Sequence, residues 1–256
     1  MRHAYGRSAL LLSGGAILSL YHFGLVKMLI LEGIMPRIVT GSSAGSIIAS
    51  FVCTRRYEDH LKDLDFTKIN FDVLEYVKKT DYYSFWNRLK SLFINKVYLD
   101  VNLLSEFIRS NTGDTTFLEA YERTGFILNI TVTRRNNYAE TRILNYLTAP
   151  NVLIWSASAA SCGIPYVYGP VDIKMKDENG NIVSWMPKGR KFVDGSISCD
   201  LPMQRISELF NVNCYIVSQT NPFIIPFLDQ SDMYRHKWKY KFWVYRVLER
   251  IRLFII

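Results

Sequence analysis

The pentapeptide Gly41-Ser42-Ser43-Ala44-Gly45 has the pattern Gly-x-Ser-x-Gly, which can present a serine hydroxyl as a nucleophile. The strand-like stretch 37–40 precedes it, and the helix-like run 46–53 follows it. A serine on such a turn has an exposed hydroxyl, and the small residues two positions away let the strand and helix approach each other. We therefore predict that Ser43 is a nucleophile and that Ser42, off the centre of the motif, is the weaker candidate. The competing interpretation is a glycine-rich turn with a capping serine.

A second glycine-containing turn, Ser13-Gly14-Gly15-Ala16, follows an apolar stretch and ends 28 residues before Ser43 at its second glycine. Adjacent glycines let backbone N–H groups face a negatively charged oxygen without an intervening side chain. A phosphate-binding loop is the alternative, but the chain has neither Gly-x-x-x-x-Gly-Lys-Ser/Thr nor Gly-x-Gly-x-x-Gly. We predict an oxyanion hole made by the N–H groups of Gly14 and Gly15, together with that of Ala44 at the start of the following helix.

A nucleophilic serine needs a base to accept its proton. The chain has four histidines, at positions 3, 22, 60 and 236, of which only His236 follows Asp194 in the order Ser, Asp, His. His236 lies in a basic stretch typical of a surface, whereas His22 is expected to be a buried structural residue. Asp194 closes the apolar stretch 192–193 and precedes Gly195, so it is placed at the carboxyl edge of a sheet. We predict Asp194 as the base, with a histidine triad or a plain strand-ending turn as the alternatives.

The elements that must position these residues alternate along the first fifty residues. A short strand is predicted at 8–12, an apolar helix at 17–31 ended by Gly33, a second strand at 38–39 and a helix at 46–53. Strand–helix alternation of this kind predicts an α/β fold with a parallel sheet.

Further elements are predicted along the rest of the chain. Residues 57–110 are expected to be mainly helical, and 85–93 to be a helical cover or cap rich in aromatic and basic residues. We predict strands at 126–133, 142–147 and 191–193, a small-residue helix at 153–161, a hairpin turn at 177–180 and a last buried strand at 214–218.

Length, composition and net charge narrow the classes of fold and of binding partner. The chain has 256 residues, 49% of them hydrophobic, which fits one α/β domain with a large core. Its net charge of +8 favours nucleic acid or an anionic membrane surface, or is merely a basic surface. Zinc spacings, RNP-like strands and dense basic runs are absent from the sequence, so we expect no nucleic-acid partner.

Cysteine spacing and the length of the apolar stretches indicate the cellular location of the protein. Cys53, Cys162, Cys199 and Cys214 form no Cys-x-x-Cys pair and are expected to be buried thiols rather than disulfides or metal ligands. The N-terminus has only a four-residue apolar run, and no apolar stretch is long enough to span a bilayer. We therefore expect an intracellular protein, not secreted, that associates with membranes peripherally.

Together, Gly14-Gly15, Gly41-x-Ser43-x-Gly45 and Asp194-Gly195 resemble the motifs of the patatin-like phospholipase family. The likeness extends over about residues 5–225 and is closer to the fungal and plant triacylglycerol lipases of that family. It is carried by the stretches 5–16, 36–45, 194–196, 200–203, 210–213 and 217–222. The sequence departs from the family pattern at Ile17-Leu18-Ser19, where the family has a basic residue and a glycine.

The resemblance implies a three-layer α/β/α domain around a mainly parallel sheet, with a Ser43–Asp194 dyad and no metal or organic cofactor. It implies a lipid acyl hydrolase that acts on triacylglycerol at a membrane or lipid-droplet surface. A phospholipase A or lysophospholipase, a lysophospholipid acyltransferase and an inactive lipid-binding protein are the alternatives. The long upstream region of those lipases is absent here, so we expect a minimal version of the domain or a fragment.

Two regions are predicted. Residues 1–221 form the patatin-like lipid acyl hydrolase domain, and residues 222–256 form a basic and aromatic C-terminal tail. In the tail, aromatic side chains alternate with Lys and Arg, a composition that suits contact with a lipid surface. The competing interpretation is a C-terminal helix that packs on the sheet.

Overall fold

The computed structural model describes residues 6–56, 101–134, 137–163, 171–186, 192–194 and 201–220. The strands in these ranges are β1 (Arg7–Leu12), β2 (Ile38–Gly41), β3 (Ile127–Arg134), β4 (Asn137–Leu144), β5 (Lys174–Lys176), β6 (Ile182–Ser184), β7 (Phe192–Asp194) and β8 (Val212–Ser218). The α-helices are α1 (His22–Leu31), α2 (Ala44–Cys53), α3 (Val101–Thr112), α4 (Phe117–Thr124), α5 (Ile154–Ser161) and α6 (Met203–Phe210). A 3-10 helix at Ala16–Tyr21 leads into α1.

The central sheet is mainly parallel, as the strand–helix alternation predicts. Its strands lie in the order β4-β3-β2-β1-β8, and β7 also pairs with β3. The pairs β1–β2, β1–β8 and β2–β3 are parallel, while β4 and β7 run antiparallel to β3. The carboxyl ends of β1 and β2 therefore lie side by side, and both candidate glycine turns start from that edge.

Side chains of the central strands alternate between two buried clusters, one on each face of the sheet. On β1, Leu10 and Leu12 pack on one face with residues of α1, α2, α3 and α5. Ala9 and Leu11 pack on the other face with Ile206 and Phe210 of α6. Both faces are covered by helices, so the predicted three-layer α/β/α architecture is confirmed.

The apolar run at 17–31 forms two helices rather than the single predicted one. The 3-10 helix begins with the Leu18 N–H donating to the Gly15 carbonyl at 3.0 Å, and α1 starts only at His22. Tight 3-10 turns are common at helix N-termini. The predicted stop at Gly33 is confirmed, because Gly33 has φ 65° and the Ile34 N–H donates to the Leu29 carbonyl at 3.0 Å.

Several smaller predictions need correction. β4 begins earlier than predicted and ends at Leu144. In β8 only Val212 is buried, and the other residues are half-buried or exposed. β8 is the last strand in the described order and has an unpaired edge there. Its apolar composition predicted a buried strand, because composition does not show that a strand lies at the edge of a sheet. Cys53 and Cys162 are buried thiols, and burial raises the pKa of Cys53, but Cys214 is exposed.

The hairpin turn at 177–180 is confirmed between β5 and β6, although of the Asn-Gly pair only Gly180 has a positive φ, at 79°. Of the segment 57–110 that was predicted to be mainly helical, residues 101–110 lie in α3, as predicted. Residues 57–100 with the aromatic cap, Gly195, Cys199 and the tail from 222 onward lie outside the described residues.

Candidate active site

Ser43 lies between β2 and α2 with φ 50° and ψ −130°. Positive φ is uncommon for a residue with a side chain, and such strain costs about 1–3 kcal/mol unless its surroundings enforce it. Backbone bonds enforce it here: the Ser42 N–H donates to the Leu12 carbonyl at 3.1 Å, and the Gly45 and Ser46 N–H groups donate to the carbonyls of Ser42 and Ser43, each at 2.9 Å. This is the strained strand–turn–helix geometry of a nucleophile elbow.

The two glycines of the motif are required by backbone contacts. A Cβ on Gly41 would lie 2.5 Å from the Ser46 Cα, and one on Gly45 would lie 2.5 Å from the carbonyl oxygens of Leu12 and Ser13. Real Cβ atoms do not approach so closely, and these partners are backbone that cannot rotate away. The elbow therefore forms only because both positions lack a side chain.

We expect Gly45→Ala to destabilise the protein by about 1–3 kcal/mol, because the new methyl group overpacks against the backbone of Leu12 and Ser13. Gly24→Ala is the matched control. Gly24 is exposed in α1, and no atom lies within 4 Å of the position that its methyl group would take, so this variant should gain about 0.5–1 kcal/mol from helix propensity. Urea unfolding of both variants measures the difference, and equal stabilities would contradict the steric explanation.

The glycine loop after β1 passes directly beside Ser43. A Cβ on Gly14 would lie 3.0 Å from the Ser43 Cβ and 3.7 Å from its Oγ. A Cβ on Gly15 would lie 2.3 Å from the Thr220 Oγ1, so Thr220 packs against this glycine. Ala44 is the first residue of α2, where an N–H has no carbonyl of an earlier helical turn to bind. The structure thus brings Gly14, Ser43 and Ala44 together.

The two serines of the motif differ in environment. Ser42 is fully buried, and its Oγ lies 2.6 Å from the Thr131 Oγ1 on β3, whereas Ser43 retains 6% exposure. The backbone N–H of Ser43 donates to the Ser161 Oγ at 2.9 Å, and that hydroxyl in turn donates to the Thr131 carbonyl at 2.7 Å. Ser161 therefore ties the elbow to β3.

Sequence reasoning missed the part that α5 has in this site. Its serines and alanines let it pack closely on α2, where the Ser50 and Ser158 Oγ atoms lie 2.7 Å apart. The small-residue composition of α5 was the available signal, and it predicted a helix but not the contact with Ser43.

Asp194 ends β7, which continues the line of β2 along one edge of β3. β2 pairs with β3 up to Gly41, opposite Ile130, and β7 pairs Asp194 with Val132. β4 occupies the opposite edge of β3 at Val132, so β7 must take the edge that β2 leaves. Asp194 therefore lies two residues along β3, about 7 Å, beyond the end of β2, where the chain turns into Ser43.

Of the four histidines, the structure describes His22 alone. His22 is fully buried at the start of α1, with its Nε2 3.0 Å from the Ser13 carbonyl oxygen and its Nδ1 2.7 Å from the Ser218 Oγ. The expectation of a buried histidine is confirmed for this residue. His3, His60 and His236 lie outside the described residues, so the dyad stays a prediction and the histidine triad stays its alternative.

Ser19 stands where the resemblance places a glycine. It is 2% exposed, and within the part of the chain that the structure describes its Oγ has no hydrogen-bond partner. A buried hydroxyl without a partner costs about 1–3 kcal/mol. The fold accommodates this departure inside the 3-10 helix at an energetic cost.

Within the described ranges we find neither a cluster of metal-ligating side chains nor a helix that could span a membrane. Over these ranges, no group of three or more His, Cys, Asp or Glu side chains is arranged to hold a metal ion. In the same stretches of chain, no helix combines the length and apolar character needed to cross a bilayer.

The three-layer fold, the strained turn at Ser43 and the adjacent glycine loop define an α/β protein with a nucleophile elbow. Residues 10–205 match the family model for patatin-like phospholipase. The chain belongs to the patatin-like phospholipase family.

The chain is also similar to individual proteins. The chain is 39% identical over 245 residues to triacylglycerol lipase SDP1L of Arabidopsis thaliana, covering 91% of this chain and 30% of the relative. It is 40% identical over 242 residues to triacylglycerol lipase 4 of Saccharomyces cerevisiae, covering 90% of this chain and 26% of the relative. It thus spans less than a third of their length. The crystal structure of VipD from Legionella pneumophila aligns with a TM-score of 0.48 and 15% identity, over 91% of this chain and 52% of that one.

Proposed function

We propose that this chain is a serine lipid acyl hydrolase that cleaves carboxylic esters of acylglycerols, with triacylglycerol as its substrate. The observation that carries the proposal is the strained Ser43 (φ 50°, ψ −130°) between two sterically required glycines and beside Gly14. Membership of the patatin-like phospholipase family supports acyl-ester chemistry, and relatives named triacylglycerol lipases support the substrate.

In the proposed mechanism, Asp194 accepts the proton of the Ser43 hydroxyl as its oxygen attacks the ester carbonyl carbon. The tetrahedral intermediate then collapses, the alcohol leaves with the proton from Asp194, and an acyl-enzyme remains. A water molecule then gives a proton to Asp194 and attacks the acyl carbonyl carbon. The second tetrahedral intermediate collapses, Asp194 returns the proton to the Ser43 oxygen, and the fatty acid leaves. The placement of Asp194 just beyond the end of β2 supports its role as the base.

The negative charge of each tetrahedral intermediate needs hydrogen-bond donors that are already in position. The N–H groups of Gly14 and Gly15 are the proposed donors on one side, and the N–H of Ala44 is the proposed donor on the other. Ala44 also begins α2, so the positive end of the helix dipole lies beside the developing charge.

A substrate panel tests this function. Purified protein is incubated with emulsified triacylglycerol, with diacylglycerol, and with phosphatidylcholine and lysophosphatidylcholine, and released fatty acid is measured. We expect the fastest release from triacylglycerol. Faster release from a phospholipid would instead indicate a phospholipase, whose substrate carries a charged head group. This is the second candidate function, and the description of the family as patatin-like phospholipase supports it. Release from none of them, together with no reaction with a fluorophosphonate, would leave an inactive lipid-binding protein.

The same panel separates hydrolysis from transfer. Adding lysophosphatidic acid and following labelled acyl chains shows whether a lipid alcohol replaces water as the acceptor. We expect the label to appear as free fatty acid rather than as a new phospholipid.

We also propose that residues 222–256 bind the lipid surface at which the substrate is found, at a membrane or lipid droplet. This segment interleaves seven Lys and Arg residues with aromatic side chains that favour the headgroup region; they are Arg235, Lys237, Lys239, Lys241, Arg246, Arg250 and Arg252. Each basic residue contributes about 1 kcal/mol near an anionic surface.

Replacing all seven Lys and Arg residues of the tail with glutamine in the 256-residue chain should therefore abolish flotation with vesicles that contain phosphatidylserine. Hydrolysis of a water-soluble ester, which needs no surface, should persist. The matched control replaces seven basic residues of the preceding domain, none of them in the site, and should float as the wild type does. Equal flotation by both variants would show that the tail is not the anchor.

A further inference from the structure

A polar cluster, partly buried, makes hydrogen bonds to the glycine loop. It consists of Ser13 and His22, both fully buried, with Ser218 and Thr220 from the end of β8 and the residues after it. Sequence reasoning predicted the burial of His22 and no role for any of the four. The proposed mechanism does not use them directly.

The hydrogen bonds of this cluster converge on two carbonyl groups. The Ser13 carbonyl lies 3.0 Å from the His22 Nε2. Because a carbonyl can only accept, Nε2 carries a proton. In the neutral ring the other nitrogen, Nδ1, then accepts from the Ser218 hydroxyl at 2.7 Å. The Gly14 carbonyl accepts from the Ser13 Oγ at 2.9 Å and from the Thr220 Oγ1 at 3.3 Å.

A further bond completes the chain of donors. The backbone N–H of Thr220 donates to the Ser13 Oγ at 3.0 Å, so that hydroxyl must direct its own proton to the Gly14 carbonyl. The Ser13 N–H donates to the Ser218 carbonyl at 3.0 Å. The end of β8 and the first residue of α1 thus hold the loop from two directions.

These two carbonyls belong to the peptide groups whose N–H groups are the proposed oxyanion donors. The Ser13 carbonyl and the Gly14 N–H form one planar peptide group, and the Gly14 carbonyl and the Gly15 N–H form the next. Holding the carbonyl end of a planar group sets the direction of its N–H end. A hydrogen bond accepted by the carbonyl also polarises the group and strengthens the N–H as a donor.

The geometry points to His22 and Thr220 as positioning residues that orient and polarise the oxyanion-binding peptide groups of the glycine loop. This inference rests on the proposed function. His22 acts through the Ser13–Gly14 peptide, and Thr220 acts through the Gly14–Gly15 peptide while packing against Gly15. Their effect falls on the transition state, where the oxyanion forms, and not on substrate binding.

Two pairs of variants separate this role from a merely structural one. His22→Gln keeps an amide N–H at the reach of Nε2 and can still donate to the Ser13 carbonyl, whereas the shorter His22→Asn cannot. Thr220→Ser keeps the hydroxyl, whereas Thr220→Val keeps the shape and loses it. The Thr220 backbone N–H, and with it the bond to the Ser13 Oγ, is unchanged in both Thr220 variants.

The readouts are kcat and KM for a water-soluble ester, and the affinities for two analogues of the substrate. A trifluoromethyl ketone adds to Ser43 and forms the tetrahedral oxyanion, whereas an ether analogue resembles only the ground state. Removing one oxyanion donor outright costs about 10²–10³ in kcat, so a misoriented donor should cost about 10- to 100-fold. We expect that loss in His22→Asn and a smaller one in Thr220→Val, with KM within about two-fold of the wild type.

Affinity for the trifluoromethyl ketone should fall in parallel with kcat, affinity for the ether analogue should not change, and the Gln and Ser variants should recover most of the loss. The inference is overturned if the Asn and Val variants keep wild-type kcat and ketone affinity, or if ketone and ether affinities fall together with no recovery. If the His22 variants do not fold, the Thr220 pair decides by the same comparison. A wild-type chain that neither hydrolyses esters nor reacts with fluorophosphonates would instead refute the proposed function, and the positioning role with it.

Discussion

Replacing Ser43 with alanine is expected to lower kcat for ester hydrolysis by about 10⁴- to 10⁶-fold, because removal of a nucleophile leaves only the contribution of binding and oxyanion stabilisation. The fold should survive, since a smaller side chain at this position removes no buried packing partner of the core. Turnover of a p-nitrophenyl ester measures the loss. A fluorophosphonate should label the wild type and not Ser43→Ala.

Ser42→Ala is the matched control for the nucleophile. It removes the buried bond to the Thr131 Oγ1, with a stability loss of about 1–3 kcal/mol, but it leaves the Ser43 hydroxyl in place. Labelling should therefore persist in the folded Ser42→Ala protein. Unchanged ester turnover in Ser43→Ala, or loss of labelling in Ser42→Ala instead of Ser43→Ala, would exclude Ser43 as the nucleophile.

Asp194→Asn is expected to lower kcat by at least about 10³-fold, because an amide of the same shape cannot take the proton from Ser43. Isosteric replacement keeps the backbone pairing of Asp194 with Val132, so unfolding measurements should show little change. Fluorophosphonate labelling should slow in parallel with ester turnover, since both reactions need a deprotonated serine.

The histidine variants decide between a dyad and a triad. His236→Ala and His60→Ala should keep most of the activity, since neither histidine is needed when Asp194 is the base. If folded His236→Ala were as inactive as Ser43→Ala, the dyad would be refuted and a Ser–Asp–His triad would replace it.

Prediction from sequence succeeded where the signal was local. The elbow is encoded in five consecutive residues whose glycines are required by contacts within the strand–turn–helix unit and with the end of β1. β1, β2 and α2 follow from short apolar runs between glycine turns, and the end of α1 follows from Gly33. Such features depend on backbone geometry over a few residues, so residue type and order are enough to reveal them.

Burial at the edge of the sheet was harder to predict. Residues 214–218 have the apolar composition of a central strand, yet β8 lies at the end of the described strand order, and none of these five residues is buried. Composition reports how apolar a strand is but not which neighbours it has. The same reason explains the exposed Cys214, which was expected to be buried.

Residue order alone was enough to identify the two glycine turns, the strand–helix alternation and the candidate pair Ser43 and Asp194. How these are supported depends on tertiary packing. Ser161 binds the Ser43 N–H across 118 residues of sequence, and Ser218 and Thr220 reach His22 across 196 and 198. Packing of the strands also places β7 on the edge of β3 that β2 leaves, which brings Asp194 beyond the end of β2. A hydrogen bond between residues so distant follows from the packing of whole elements, so it leaves no periodicity or motif in either segment.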